Sequence, residues 1–437
     1  MAHQLELAGI ETFEQAKLAF RSAFYEAAQR RDLPAFADLC QETLATTASS
    51  LVRPYAFAYA ARSLLHQRAS YATGHDGRAR PLAEVAERLD ALLRTPAAIN
   101  ERDNYFHEVV AGLRDYVVTG LEPACLSFAR AARFQDYFRV VRDDFGGGAA
   151  FGKTFPLPED LQAERPAVAP VDMQEDVAPR LPWRLALSSH ADSLYAEAFF
   201  PAWIDQLGAL GAQDLLLHLH IIFRQQREPE LLASLAEKAA AQGVNLMITS
   251  EQQGARDKAY FACSRFLRAR GLMDRFRCNT VFVDADAFII DPDAFRETHL
   301  PKLMAEQRVT GMIAPVFAEG YLPWRRFSAG WLVMPYNEAG LAFAGLVGQC
   351  IGYFWDARFG RNWWIDQFGL ESARHIMSRR PEHAASFSSW PASYPSSIAA
   401  VGERNKMTRV AETGTMRRMM STGLTYHQAM IRLNRGA

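Results

Sequence analysis

"TVFVDADAFIIDPDAF", Thr280 to Phe295, sets an apolar run directly against a knot of aspartates. Thr280 to Val283 read as a buried strand. The strand's end at Asp284 and Asp286 calls for a physical reason, because carboxylates on alternate residues of an extended chain project to one side and repel at close range. A cation between them removes the repulsion. The stretch therefore predicts a positively charged partner at the carboxyl end of a strand.

The residues before it alternate between strand and helix patterns. "RLALSSH" from Arg184, "LLLHLHIIF" from Leu215 and "VNLMITS" from Val244 read as strands, while "AEAFFPAWIDQLGALG" and "PELLASLAEKAAAQG" read as helices, the second ended by Gly243. A further helix, Lys258 to Arg270, leads into the aspartate strand. Such alternation predicts an open, Rossmann-like α/β sheet with its ligands beyond the carboxyl ends of the strands. By that topology Ser188, Ser189 and His190 line a pocket with Asp284 and Asp286.

Towards the N-terminus the pattern changes twice. Residues 10 to 145 read as helices throughout: Phe13, Ala16, Phe20 and Phe24 share one face, Leu33, Phe36 and Cys40 mark the next, and "PLAEVAERLDALLR" is a third amphipathic run. No repeat of constant period is present, so a bundle and a solenoid both remain open. Residues 146 to 182 are rich in Gly, Pro, Ala and acid and read as a linker. The expected organisation is an all-α domain at 1–145, a linker at 146–182 and an α/β domain at 183–437.

Composition fits this plan. A chain of 437 residues exceeds the size at which one core keeps growing, and 49% hydrophobic residues supply ample core. A formal net charge of −1 points to neither nucleic acid nor an anionic membrane surface as partner. The five cysteines are scattered, with no Cys-x-x-Cys, so neither a disulfide framework nor a zinc site is expected. The opening MAHQLELAGIETFEQ has no basic n-region or apolar h-region, and the expected compartment is the cytoplasm. "AGLAFAGLVGQCIGYFW", 339–355, is apolar but short and carries Gln349; with Ala344, Gly348 and Gly352 at helical spacing it reads as a helix packed closely on a sheet, not a membrane span.

Two motif matches lead elsewhere. "GGAAFGKT", Gly147 to Thr154, satisfies the spacing of a phosphate-binding loop, yet charged residues precede it and Pro156 and Pro158 block the helix that must follow. An EF-hand would need Asp or Asn and then Gly where Phe288 and Ile289 stand. A haloacid-dehalogenase-type phosphotransferase also opens on a strand ending in Asp-x-Asp, but has Thr or Val at the place of Phe288; it is the lesser alternative. The remaining reading is a divalent cation held against a diphosphate.

"YFACSRFLRARGLMDRFRCNTVFVDADAFIIDP", then "RRFSAGWLVMP", then "WWIDQFGL", resemble in order the elements of GT-A-fold, nucleotide-diphospho-sugar glycosyltransferases: a helix with a basic residue, a strand ending in Asp-x-Asp, a Ser-Ala-Gly before a strand, and an Asp-Gln segment. The pattern covers roughly residues 183 to 437. The resemblance implies a GT-A-like α/β domain preceded by the all-α domain, and transfer of a sugar from a nucleotide-diphospho-sugar to an acceptor with Mn²⁺ or Mg²⁺ as cofactor. It implies Asp286 as main metal ligand and Asp284 on the ribose or a metal-bound water. Ser189, Lys258, Arg265, Ser328, Gly330 and Gln367 would contact the donor. Asp366, between Trp363, Trp364, Ile365 and Phe368, would be the catalytic carboxylate: a base if the enzyme inverts, a sugar-positioning group if it retains. A helix-start aspartate is the plain alternative. His427, in "GLTYHQAM", is the expected third metal ligand, with His383 as competitor, and neither has the usual neighbours of the family's histidine. Arg404, Lys406, Arg409, Arg417 and Arg418 form a basic cluster that would meet the diphosphate. No nucleic acid or integral membrane segment is expected. A scaffold that keeps the fold without turnover, binding a protein through its helical domain, is the second functional class.

Overall fold

The computed structural model describes residues 7, 9–30, 32–69, 82–95, 101–134, 153–156, 161, 168, 172–252, 258–289, 292–312, 322–355, 364–383, 385–389 and 398–399. The chain divides into two units: Met1–Asp160 with Ile313–Arg326, and Leu161–Met312 with Phe327–Ala437. The first takes a short segment from deep inside the sequence that no local pattern marks.

The first unit is helical. Its elements are α1 (Phe13–Gln29), α2 (Leu33–Thr46), α3 (Arg53–Ala69), α4 (Leu82–Leu93), α5 (Glu101–Val118) and α6 (Leu121–Ala131). Thr12 starts α1 with a capping box, its side chain accepting from the Gln15 amide while the Gln15 side chain accepts from the Thr12 amide. Ala16, Phe20 and Phe24 are buried as the spacing predicts, and so are Leu33, Phe36 and Cys40. Helix α3 packs on α1, α2, α4 and α5, which makes it the axis of a bundle. It is apolar on most sides, as a central helix must be.

The second unit is a mixed α/β sheet. Strands β1 (Gln174–Val177), β2 (Leu185–Asp192), β3 (Leu215–Phe223), β4 (Leu246–Gln252), β5 (Asn279–Val283), β7 (Val309–Met312), β8 (Trp331–Met334) and β9 (Phe387–Ser389) form one eight-stranded sheet in the order β1-β4-β3-β2-β5-β8-β7-β9, while β6 (Phe288–Ile289) pairs with β10 (Ile398–Ala399). The central strands β4, β3, β2 and β5 are parallel; β1 is antiparallel to β4, and β8 to β5. Helices α7 (Ser193–Leu210), α8 (Pro229–Ala241), α9 (Lys258–Leu267), α10 (Ala269–Phe276), α11 (Leu300–Ala305), α12 (Glu338–Phe354) and α13 (Ile365–Ser378) complete it. From β2 the chain proceeds outwards through β3 and β4, then returns to place β5 on the other side of β2. The gap between the ends of β2 and β5 is thus a topological switch point, where open sheets bind ligands.

Several expectations need correction. Strand β1 lies inside the stretch read as linker, because its acidic residues have no apolar period and it is an edge strand. The helix expected from Lys258 to Arg270 ends at Leu267 and a second begins at Ala269. The glycine-bearing helix α12 is capped by Asn337 and approaches a helix more closely than a sheet: Gly348 lies against the carbonyls of Phe266 and Leu267 in α9, and Ile351 meets Gly369 of α13. No described helix is long and apolar enough to cross a membrane. Of the Gly147–Thr154 motif only Lys153 and Thr154 are described, and Lys153 to Pro156 are not helical.

Candidate functional site

Strand β5 is wholly buried, and its apolar residues run out at Asp284. The two aspartates do not continue an extended chain. The Ala287 amide donates to the Asp284 carbonyl at 3.0 Å, closing a turn with Asp286 at its third position. Behind the turn, Trp203 Nε1 of α7 donates to the Ala285 carbonyl at 3.0 Å, so a buried tryptophan anchors the loop that carries both carboxylates.

Antiparallel pairing of β5 with β8 brings the Ser-Ala-Gly segment to the same place. Val283 pairs with Trp331, and the Asp284 amide donates to the Gly330 carbonyl at 3.0 Å. Ser328 is half-buried beside it, its amide donating to the Gly311 carbonyl at 2.8 Å.

Arg265 comes from α9, whose buried residues hold it over the sheet. The side chain is only 2% exposed; Nη1 lies 2.5 Å from Asp284 Oδ1 and donates to the Val283 carbonyl at 3.3 Å, while Nη2 lies 3.9 Å from Asp366 Oδ2. One guanidinium thus spans two carboxylates separated by 82 residues of sequence (366 − 284). The positive charge that meets Asp284 is, in this structure, an arginine of the chain itself. Arg265 Nε is buried without a hydrogen-bond partner among the described residues.

Asp366 sits in the first turn of α13, where the Gln367 amide donates to Oδ1 at 2.9 Å. One oxygen thus accepts from an amide of the helix's own first turn and the other faces Arg265 at 3.9 Å. Burial pushes its carboxyl above the usual range, the charge of Arg265 opposes the rise, and Asp284 adds to it. Trp364, immediately before the helix, has φ of 74°, a conformation that bulky residues rarely adopt and that clusters at functional sites.

The sheet also carries a cluster of which the sequence reading named only Ser188 and His190. His190, His218 and His220 are fully buried on one face of β2 and β3. Thr249 Oγ1 lies 2.8 Å from both His218 Nε2 and His220 Nδ1; Ser188 Oγ lies 2.9 Å from His218 Nδ1; His190 Nδ1 lies 3.0 Å from Ser264 Oγ of α9. His220 faces Glu251 at 3.8 Å, and Glu251 is ion-paired with Arg268. Burial drives the proton affinity of all three histidines down, and neighbouring cationic groups drive those of His190 and His218 further. Ser264, Arg265 and Arg268 therefore clamp α9 to the sheet. The signal was the strict alternation Leu217-His218-Leu219-His220-Ile221.

Not every expected residue joins the site. Strand β2 runs on to Asp192, so His190 lies within the strand and not at its end, and the Ser189 hydroxyl is buried without a hydrogen-bond partner among the described residues at the level of Val283, on the opposite face from Ser188 and His190. Lys258 begins α9, but its side chain is outside the described residues, as are Trp363, His427 and the basic cluster from Arg404 to Arg418. His383 lies in a short turn, Pro381–His383. Gln367 contributes its amide to Asp366. For a divalent metal, the described donors are carboxylate oxygens, which suit Mn²⁺ or Mg²⁺ bound by one or two carboxylates and completed by phosphate oxygens. Among the described residues no three His, Cys, Asp or Glu are gathered closely enough to hold a metal by themselves.

No family model matches the chain, and no curated protein does. Among solved structures, the crystal structure of the tetrameric eIF2B-beta2-delta2 complex from C. thermophilum is matched at 10% identity, over 60% of this chain and 80% of that one, with a TM-score of 0.16. A likeness of that size carries no argument about fold or function.

Proposed function

We propose that the chain is a metal-dependent glycosyltransferase of GT-A-like fold, moving a sugar from a nucleotide-diphospho-sugar to an acceptor in the cytoplasm. The observation that carries the reading is the convergence of four separate segments at one switch point: Asp284 beside Gly330, with Arg265 between Asp284 and Asp366. Sheets of this kind bind ligands there, and the residues present are those a diphosphate and a reacting sugar need.

In this reading Asp286 and Asp284 hold Mn²⁺ or Mg²⁺, which supplies neutralisation of the charge that develops on the leaving diphosphate. Arg265 adds a fixed positive charge in a water-poor setting, where it is worth more than in solvent. Ser328 and Gly330 shape the wall beside the donor sugar. The sugar–phosphate bond breaks, the nucleoside diphosphate leaves with the bonding electrons, and the acceptor oxygen bonds to the sugar carbon. In an inverting enzyme Asp366 accepts the acceptor's proton, a role helped by the burial that raises its proton affinity. In a retaining enzyme the same carboxylate positions the sugar.

The test is a thermal-shift panel of nucleoside diphosphates and nucleotide-sugars, with and without Mn²⁺, on the wild type and Asp286→Ala. Ligands that bind the folded state raise its melting temperature. A Mn²⁺-dependent shift lost in Asp286→Ala supports the transferase and names its donor. No shift with any donor moves the reading to a scaffold in which Asp284, Arg265 and Asp366 form a structural ion network.

A further inference from the structure

The carboxylate at the head of the proposed metal site is already engaged. Arg265 Nη1 lies 2.5 Å from Asp284 Oδ1, and the arginine is almost completely buried while the Asp284 carboxylate is 41% exposed. The guanidinium therefore approaches from inside the fold, and any ion arriving from solvent meets a carboxylate whose inner oxygen is taken. The arginine cannot drift away freely. Its Nη1 also donates to the Val283 carbonyl, its Nη2 faces Asp366, and its ring neighbour Phe266 lies 4.8 Å from the guanidinium carbon. Helix α9 is itself clamped through Ser264 and Arg268.

We infer that Arg265 is a positioning residue that competes with the divalent cation for Asp284, so that the protein holds its metal weakly as long as the guanidinium is bonded to that carboxylate. The inference rests on the proposed metal-dependent reading and adds a regulation of that site. Two effects act together. A divalent ion beside Asp284 must displace a bonded guanidinium, and it then sits a few ångströms from a fixed positive charge. Both weaken binding, and both vanish when the charge at position 265 is removed. An anionic group that takes up the guanidinium has the same consequence, which ties cation binding to arrival of a phosphate-bearing ligand.

The experiment uses the full chain and Mn²⁺ alone, with free Mn²⁺ followed by electron paramagnetic resonance. Arg265→Gln is expected to bind Mn²⁺ about tenfold more tightly than the wild type, the charge being close but partly screened by water around Asp284. Adding Asp284→Asn to Arg265→Gln is expected to remove the gain. An arginine that only supports the fold, or one that helps to hold the site together, gives equal or weaker Mn²⁺ binding in Arg265→Gln, and that result overturns the inference while leaving the transferase reading intact. Absence of Mn²⁺ binding in both wild type and Arg265→Gln overturns the metal reading and the inference with it. Should Arg265→Gln fail to fold by circular dichroism, Arg265→Gln/Asp366→Asn removes one cation and one anion together; the same ranking against wild type supports the inference and the reverse ranking sinks it.

Discussion

The two faces of the central sheet are equally buried, and only one of them carries the polar cluster. One face carries Leu187, Leu217, Leu219, Ile221, Ile248, Val281 and Val283 against α7 and α8, with Trp203 at its centre. The other carries Ser188, His190, His218, His220, Thr249 and Glu251 beneath α9. An apolar face holds its helices by area, which is non-directional and tolerates small shifts. A hydrogen-bonded face holds its helix in one register, because a shift leaves buried polar groups unpaired. The helix that must deliver Arg265 to Asp284 and Asp366 lies on the second face. Position matters there more than bulk stability.

Four measurements distinguish the two faces. Trp203→Ala on the apolar face is expected to cost about 3–5 kcal/mol of stability, through the void it leaves, with a loss that is the same at all pH values from 5.5 to 8. Urea denaturation across that range checks it. Because Trp203 also holds the Ala285 carbonyl, weakened Mn²⁺-dependent ligand shifts are expected in this variant even where it is fully folded.

Acid acts on the other face. The folded-state proton affinities of His190, His218 and His220 are depressed, mainly by burial, so below pH of about 6.5 the unfolded chain takes up protons that the native cluster refuses. Stability is therefore complete above the ordinary histidine range and lost as pH falls below it. At about 1.4 kcal/mol per histidine and pH unit, going from pH 7.5 to 5.5 is expected to remove up to roughly 4 kcal/mol. A flat urea midpoint over this interval, after the same scan on a His190→Gln/His218→Gln/His220→Gln variant, would show that the cluster is already charged or hydrated.

Glu251→Gln removes a carboxylate ion-paired with the buried Arg268 and is expected to cost about 3 kcal/mol, since breaking one side of a buried ion pair is strongly destabilising. It is also expected to loosen α9, so hydrogen exchange of the helix amides should rise more than in Trp203→Ala. Equal exchange in both variants would erase the distinction between the faces.

The smallest stability effect is expected at Asp366. Its carboxyl is held above the usual range, so the wild type loses some stability as pH rises through the window above the ordinary aspartate value, and Asp366→Asn does not. The melting temperature of Asp366→Asn relative to wild type is expected to rise with pH between 4 and 8, by an amount corresponding to about 1 kcal/mol or less. Sugar transfer is expected to be lost in the same variant; transfer at the wild-type rate would remove Asp366 from the chemistry.

Much of this architecture was legible in one dimension. The alternation of strands and helices from Arg184 onward, the helical region before it, and the apolar strand ending at Asp284 follow from periodicities that depend only on backbone geometry. The demand for a cation at the aspartates also followed from the sequence, since it rests on the charge of two nearby residues. Which side chain meets Asp284 did not. Arg265 lies 19 residues before Asp284 and 101 before Asp366 (284 − 265; 366 − 265), and only the packing of α9 over β2 and of α13 against α9 brings these groups together. The histidine face was hidden for the same reason: His190, His218, Thr249 and Ser264 come from four elements, and the network exists only after parallel pairing has aligned them. Local periodicity and local charge belong to the sequence itself. Register between distant strands is set by the burial of whole faces, so the partners of Asp284 and of the histidines were decided by tertiary structure alone.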